Sequence, residues 1–284
     1  MSELAKRTAF AVVAAPLGIL AIYVGDAVLA TILSLIAALG AWEFCRIAKA
    51  AGAEPFEEIA IGAAALVPLL VLGVHNRKLS ISITHVALAI LVVFASAIFF
   101  RGPNRRPLLS SATTIFGVAY VAMLAYVFDL RYHDYIVSAA GGTALAVLPL
   151  VLTWATDIGG YMFGRAFGEK KLFPSVSPGK TIAGAVGGMV LAVVVCWIYV
   201  KFVLQPVAQL SFTPLGIVLF AVALSVTALI GDLAESLIKR EASVKDSSTI
   251  IPGHGGILDR FDSMLFVLPV AALLLQHLLI PAPV

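Results

Sequence analysis

Residues 182–204 read IAGAVGGMVLAVVVCWIYVKFVL, 23 residues with a single charge at Lys201. An apolar run of about 17–25 residues is long enough to cross a bilayer as a helix. Eight further runs of this kind flank it, at roughly 8–25, 27–45, 58–74, 81–100, 110–128, 138–158, 213–231 and 262–280. The expected fold is therefore all-α, a polytopic integral membrane protein with about nine transmembrane helices. Composition agrees. Hydrophobic residues make up 61% of the 284-residue chain and charged residues only 12%, about half the share of a soluble protein. Mean hydropathy is +1.04, so the apolar surface must be solvated by lipid, and intrinsic disorder is excluded. The formal charge of +3 gives no reason to expect nucleic acid. Cys45 and Cys196 lie in or beside apolar runs and form no CxxC, which argues against a zinc site or a disulfide framework. The first run follows Lys6 and Arg7 as a signal peptide would. It is long for such a segment, however, and a second run follows at once, so it reads as a span.

Nine spans place the termini on opposite sides of the membrane. Of the 19 basic residues, 15 fall on the N-terminal face: Lys6, Arg7, Arg46, Lys49, Arg101, Arg105, Arg106, Arg165, Lys170, Lys171, Lys180, Lys239, Arg240, Lys245 and Arg260. Arg77, Lys78, Arg131 and Lys201 fall on the other. The positive-inside rule puts the first face in the cytoplasm. The expected location is the plasma (inner) membrane, with the N-terminus and the active site cytoplasmic and the C-terminus opposite. The charges also divide the chain lengthwise. Residues 1–150 have short connections and no acid at the centre of an apolar run, and read as transmembrane scaffold. Residues 151–284 carry two long cytoplasmic loops, 165–181 and 239–261, and read as the catalytic region.

The eighth run continues as Gly231-Asp232-Leu233-Ala234-Glu235-Ser236-Leu237-Ile238-Lys239-Arg240. If it stays helical, Asp232, Glu235, Ser236, Lys239 and Arg240 share an arc of about 140°. A carboxylate at mid-bilayer costs roughly 2.5–3.5 kcal/mol or more. Asp232 is nearer the end of the span and still needs a partner, whereas an i,i+4 ion pair with Lys239 accounts for Glu235. The next loop holds three glycines around His254, and Asp259 and Asp262 follow at the start of the last helix. Such acids cap a helix or offer hard oxygens to Mg²⁺. Glycines let backbone N–H groups approach an anion, and His254 contacts either a phosphate or only the backbone. Interleaved acids and bases suit a site that holds a metal and neutralises phosphate.

The sixth run ends at Asp157, Gly160, Tyr161, Gly164 and Arg165, again on one arc. Gly160, Gly164 and Gly168 form a small-residue stripe suited to close helix packing. Packing explains the glycines better than it explains Asp157. Ser177-Pro178-Gly179-Lys180-Thr181 follows. It is not a P-loop, because Pro174 stands where the first glycine belongs and no strand signal precedes it. Ser177, Lys180 and Thr181 suit phosphate binding at a helix N-terminus. Capping explains the hydroxyls equally well, but not the lysine.

Stretch 236–262 resembles the signature of the phosphatidate cytidylyltransferases, or CDP-diacylglycerol synthases. Ser236, Lys239, Arg240, Lys245, Asp246, Ser248, Ile251, Pro252, His254, Gly255, Gly256, Asp259, Arg260 and Asp262 fill its positions at the right spacing. Segment 157–184 resembles a second family region through Asp157, Tyr161, Gly164, Gly168, Ser177, Pro178, Lys180 and Thr181. It departs at Ile182-Ala183, where members often carry an aromatic residue and Glu or Gln. The first 150 residues resemble the family only in span number and hydropathy.

The resemblance implies attack of a phosphatidate oxygen on the α-phosphorus of CTP, with Mg²⁺, a K⁺ ion as helper, and a homodimer. On this reading Asp232, Asp259 and Asp262 hold the metal, with Asp246 and Asp157 as secondary ligands or orienters. Lys239, Arg240, Lys245, Lys180 and Arg260 hold phosphates. His254, Gly255 and Gly256 shape the triphosphate pocket, and Ser177, Thr181 and Tyr161 complete the substrate site. Two alternatives remain at this point. One is an ion- or proton-coupled transporter using Asp157, Asp232 and Glu235. The other is a nucleotidyltransferase acting on a different lipid phosphate.

Overall fold

The structure is a computed structural model that describes residues 3–251 and 255–282, with side chains from residue 12 onward. His254 lies outside the described residues. The helices are α1 (Glu3–Val24), α2 (Asp26–Ala50), α3 (Glu57–His75), α4 (Ile83–Phe100), α5 (Pro107–Ala122), α6 (Val127–Arg131), α7 (Ala139–Phe167), α8 (Ile182–Tyr199), α9 (Gln205–Ala208), α10 (Pro214–Glu241) and α11 (Leu258–Leu278). Short 3₁₀ turns precede α5 and join α5 to α6, and a π turn, Val200–Leu204, joins α8 to α9. Among the described residues, eight helices are long and apolar enough to cross a membrane, counting α5–α6 and α8–α9 as continuous. The first run of the sequence lies in α1, whose apolar part with described side chains is Val12–Val24. The chain is an integral membrane protein. Helix α4 shows why: it buries only Ala97, while Ile98 and Phe99 stand 77% and 80% exposed, an arrangement that lipid tolerates and water does not.

The helices overrun the apolar runs at the polar ends. Helix α7 continues to Phe167 and α10 to Glu241. The two long connections therefore begin after those residues, later than hydropathy suggests. Polar residues prolong a helix once its apolar part is nucleated and packed. Four short strands occur. β1 (Lys171–Phe173) and β2 (Ser177–Thr181) form an antiparallel hairpin, as do β3 (Leu210–Phe212) and β4 (Leu279–Pro281). A strand thus does precede Gly179-Lys180-Thr181, contrary to the sequence expectation. It pairs with that very segment, a geometry unlike a P-loop.

The chain forms two compact units that do not follow a division at residue 150. One contains 1–17, 25–125 and 238–261, and the other 18–24, 126–237 and 262–284. In the first, α2 packs on α5 through two close approaches. A Cβ at Gly117 would meet the Phe44 ring 2.5 Å away, and one at Gly40 would lie 3.1 Å from Val121 and 3.4 Å from Leu258. Phe44 packs against Phe116 and Tyr120 at ring separations of 5.6 and 6.3 Å.

In the second unit α7 and α8 cross at backbone contact. A Cβ at Gly184 would sit 2.6 Å from the Gly160 carbonyl, and one at Gly159 would sit 2.8 Å from that of Gly187. The glycines of this stripe therefore serve packing, as small residues do between membrane helices. The Thr156 hydroxyl donates to Ser225 Oγ at 3.0 Å, joining α7 to α10. Gly231 brings α10 against α11, where a Cβ would lie 2.9 Å from the Asp262 carbonyl.

Candidate functional site

In the first unit, the described residues Lys239, Ser247, Ser248, Gly256, Ile257 and Leu258 gather around two carboxylates. Asp259, in the first turn of α11, receives Lys239 Nζ at 2.6 Å on Oδ1. On Oδ2 it receives the Ser247 N–H at 2.9 Å, the Ser247 hydroxyl at 2.8 Å and the Gly256 N–H at 2.8 Å. The Lys239 and Asp259 side chains are only 13% and 6% exposed, so the pair is largely desolvated. The second carboxylate is Glu43 of α2, which is 0% exposed. It accepts four bonds: Ser248 Oγ at 2.6 Å and Ile257 N–H at 2.9 Å on Oε1, then Ser247 Oγ at 3.0 Å and Leu258 N–H at 2.7 Å on Oε2. The single Ser247 hydroxyl proton is shared between the two acids.

The glycines of this segment are dictated by those acids. Gly255 has φ +77°, and a Cβ there would lie 2.6 Å from Asp259 Oδ2. At Gly256 a Cβ would fall onto the Ser247 hydroxyl and the Glu43 carboxylate. The expected approach of a glycine N–H to an anion does occur, but in this structure the anion is Asp259. Arg240, Lys245, Asp246 and Arg260 point outward and are exposed.

In the second unit a cavity of about 180 Å³ is lined by Thr156, Asp157, Tyr161, Lys180, Thr181 and Ser225 together with glycines of α7, β2 and α8. Lys180 Nζ lies 2.6 Å from Asp232 Oδ2, with side-chain exposures of 23% and 33%. The Ser236 hydroxyl approaches Asp232 Oδ1 at 3.4 Å. Thr181 is the N-cap of α8, its hydroxyl accepting from the Gly184 N–H at 3.1 Å, so capping accounts for it. Ser177 is half-buried in β2, opposite Phe173. Arg165 Nη1 donates to Tyr161 Oη at 2.9 Å. Asp262 Oδ1 accepts the N–H of Ser263 at 2.5 Å.

These placements bear on the metal. Among the described residues no group of three or more His, Cys, Asp or Glu side chains gathers as a cation site. Asp259 and Asp232 are each bonded to a lysine at 2.6 Å, and Asp259 accepts three further bonds on Oδ2, so an ion at either carboxylate would have to share or displace those partners. Asp157 lines the cavity, and Asp232 is bonded to the lysine that lines it, which brings these two acids to one place.

Sequence reasoning missed Glu43, Ser247 as a bridge, and the Thr156–Ser225 pair. Glu43 carried no local signal: it stands at the end of an apolar run with Arg46 one turn on, as an interfacial acid would.

Comparison with known proteins bears on the whole chain. The profile of the Cytidylyltransferase family matches residues 5–278. The phosphatidate cytidylyltransferase of Bacillus subtilis is 40% identical over 171 residues, 59% of this chain and 62% of that protein. That of Haemophilus influenzae is 42% identical over 150 residues, 52% of this chain and 51% of that protein. That of Staphylococcus epidermidis is 40% identical over 173 residues, 61% and 62% of the two chains. The chain thus spans between half and three fifths of the length of the curated relatives it matches.

Proposed function

The chain belongs to the cytidylyltransferase family, and on that premise we propose that it is a phosphatidate cytidylyltransferase. A phosphate oxygen of phosphatidate attacks the α-phosphorus of CTP. The bond from that phosphorus to the bridging oxygen of the β-phosphate breaks, and CDP-diacylglycerol and diphosphate result. The names of the relatives point to these substrates. The observation that carries the reading is a pair of lysines, each held by an aspartate at 2.6 Å at the polar end of an apolar helix: Lys239 with Asp259 and Lys180 with Asp232. Phosphate oxygens compete with a carboxylate for such a lysine, and transfer to phosphorus needs charge neutralisation and positioning more than a covalent nucleophile.

Segment 239–261, with exposed Arg240, Lys245 and Arg260 beside Lys239, takes the triphosphate of CTP, with His254 in the same segment. The Lys180 cavity, about 180 Å³, is smaller than the roughly 300–1,000 Å³ of pockets for larger ligands. It suits the headgroup phosphate of a lipid, with Tyr161 in its lining and Ser177 in the same strand as Lys180. Ala185 and Leu229 add apolar lining to that cavity, and Ile182 and Val186 of α8 are exposed for acyl chains.

Mg²⁺, with K⁺ as a second ion, belongs to the same proposal, with Asp157 and Asp232 as the residues to hold it. The chemistry such an ion supplies is neutralisation of charge on the phosphates during transfer. The orientation follows the positive-inside rule, with the N-terminus and the basic loops cytoplasmic, where CTP is available. A homodimer is also proposed, and cross-linking in native membranes tests it.

The deciding experiment incubates the purified full-length chain in detergent with labelled CTP, phosphatidate and Mg²⁺, and follows label into the lipid phase. Transfer is expected. No transfer with any divalent ion refutes the activity, and transfer only when isoprenyl phosphate replaces phosphatidate reassigns the lipid.

A further inference from the structure

We infer that Glu43, in the transmembrane helix α2, is a positioning residue for the nucleotide segment 239–261. The inference rests on the assignment of CTP phosphates to that segment. A fully buried carboxylate is costly unless its acceptor sites are filled. Here the carboxylate is 0% exposed, and four donors at 2.6–3.0 Å fill it, all from residues 247–258. Two of them, Ile257 N–H and Leu258 N–H, belong to the entry of α11, where the first turn of a helix has no carbonyl partners of its own. Glu43 therefore caps α11 from another helix. The other two, Ser247 and Ser248, are each 4% exposed, and Ser247 passes the contact on to Asp259, which holds Lys239. The order Glu43–Ser247–Asp259–Lys239 ties the α2 backbone to a phosphate-binding lysine without Glu43 approaching substrate. Gly40, one turn before Glu43, also faces Leu258, whose side chain would lie 3.4 Å from a Cβ there.

Replacing Glu43 by glutamine keeps the volume but turns one acceptor oxygen into a donor. The serine hydroxyls can rotate to accept, but a backbone N–H cannot. One of Ile257 and Leu258 therefore loses its acceptor, and the entry of α11 loses one of its fixed points.

The test compares the wild-type chain with Glu43→Gln, both full-length in detergent, by amide hydrogen exchange and by equilibrium dialysis with CTP. Exchange at Ile257 or Leu258 is expected to rise about ten- to a hundredfold, the value of a hydrogen bond to a charged group. The dissociation constant for CTP is expected to rise by a similar factor, about ten- to a hundredfold, at unchanged stoichiometry. A merely structural role gives the opposite pattern: fewer CTP sites per chain, each with wild-type affinity. That pattern, or wild-type exchange at both amides, overturns the inference. If Glu43→Gln does not accumulate, Ser248→Ala removes one of the four bonds. It should weaken CTP binding in the same direction, by up to about tenfold, and unchanged binding again overturns the inference. Wild-type protein that binds no CTP refutes the assignment of the nucleotide and this inference with it, whereas equal binding by wild type and variant refutes the positioning role alone.

Discussion

Replacing Asp259 by asparagine tests the centre of segment 239–261. The carboxylate takes one lysine and three uncharged donors, with Lys239 and Asp259 13% and 6% exposed. Screening by solvent is weak at that burial, so the pair is not one of the surface bridges worth about 0–1 kcal/mol. An asparagine offers one oxygen for both sets of donors. If it faces Ser247 and Gly256, its amide N–H₂ opposes the ammonium; if it faces Lys239, two backbone N–H groups lose their acceptor. The expected destabilisation lies between the roughly 1.5–3 kcal/mol of one charge-assisted bond and the roughly 3–5 kcal/mol of a broken buried pair. Lys239→Met is expected to cost less, because Asp259 keeps its three bonds from Ser247 and Gly256. Both variants should lose transfer from CTP, by about a hundredfold or more if 3 kcal/mol of positioning is lost at the transition state. The assay is thermal unfolding in detergent alongside label transfer. A Lys239→Met chain less stable than Asp259→Asn, or an Asp259→Asn chain with wild-type turnover, refutes this account of the pair.

Three other outcomes are expected. Lys180→Met should leave stability nearly unchanged, because the Lys180–Asp232 pair is a quarter to a third exposed and worth about 1 kcal/mol at most. The KM for phosphatidate at saturating CTP should nevertheless rise about tenfold or more, and an unchanged value removes the lysine from the lipid site. Gly184→Leu should block accumulation of folded protein, since a Cβ already lies 2.6 Å from the Gly160 carbonyl. Gly62→Ala meets nothing within 4 Å in helix α3 and should be neutral or stabilise by up to about 1 kcal/mol; gel filtration in detergent separates the two. Chelation of divalent ions should stop transfer reversibly while the melting temperature stays put, because Lys180 already neutralises Asp232. A collapse of melting temperature on chelation would make the ion structural.

How much was legible in the sequence follows from the range of the interactions. Helical spans are written locally: 182–204 declares itself by hydropathy alone, and α8 does start at Ile182. The stripe Gly160, Gly164 and Gly168 also announced close packing, although its partners Thr181, Gly184 and Gly188 could not be read from spacing. Hydropathy ended α7 and α10 early because it registers the solvent a residue prefers and not the hydrogen bonds that prolong a helix. Glu43 is the instructive miss. Its four partners lie 204 to 215 residues away, and nothing local distinguishes a buried acid with distant donors from an interfacial acid near an arginine. Treating residues 1–150 as scaffold hid it further, because the scaffold helix supplies the carboxylate around which the signature segment folds.

That arrangement also explains why the signature mixes acids, bases and hydroxyls so closely. Ser247 and Ser248 are 4% exposed, whereas Lys245 and Asp246 just before them are exposed. Asp259 faces inward to Lys239, while Arg260 beside it is exposed. Inward residues thus satisfy the chain's own carboxylates, and on the proposed reading the exposed Lys245 and Arg260 face a polyanion. A glycine-rich turn alone would have to be ordered by the nucleotide at the moment of binding, at an entropic cost of about 1–2 kcal/mol for each residue fixed. Here Glu43 and Asp259 occupy the positions where donors converge, so on the proposed reading Gly256, Ile257 and Leu258 are held in place before CTP arrives. The acids then need not touch the substrate to be indispensable. On the proposed reading it is enough that Asp259 holds Lys239 in place for a phosphate.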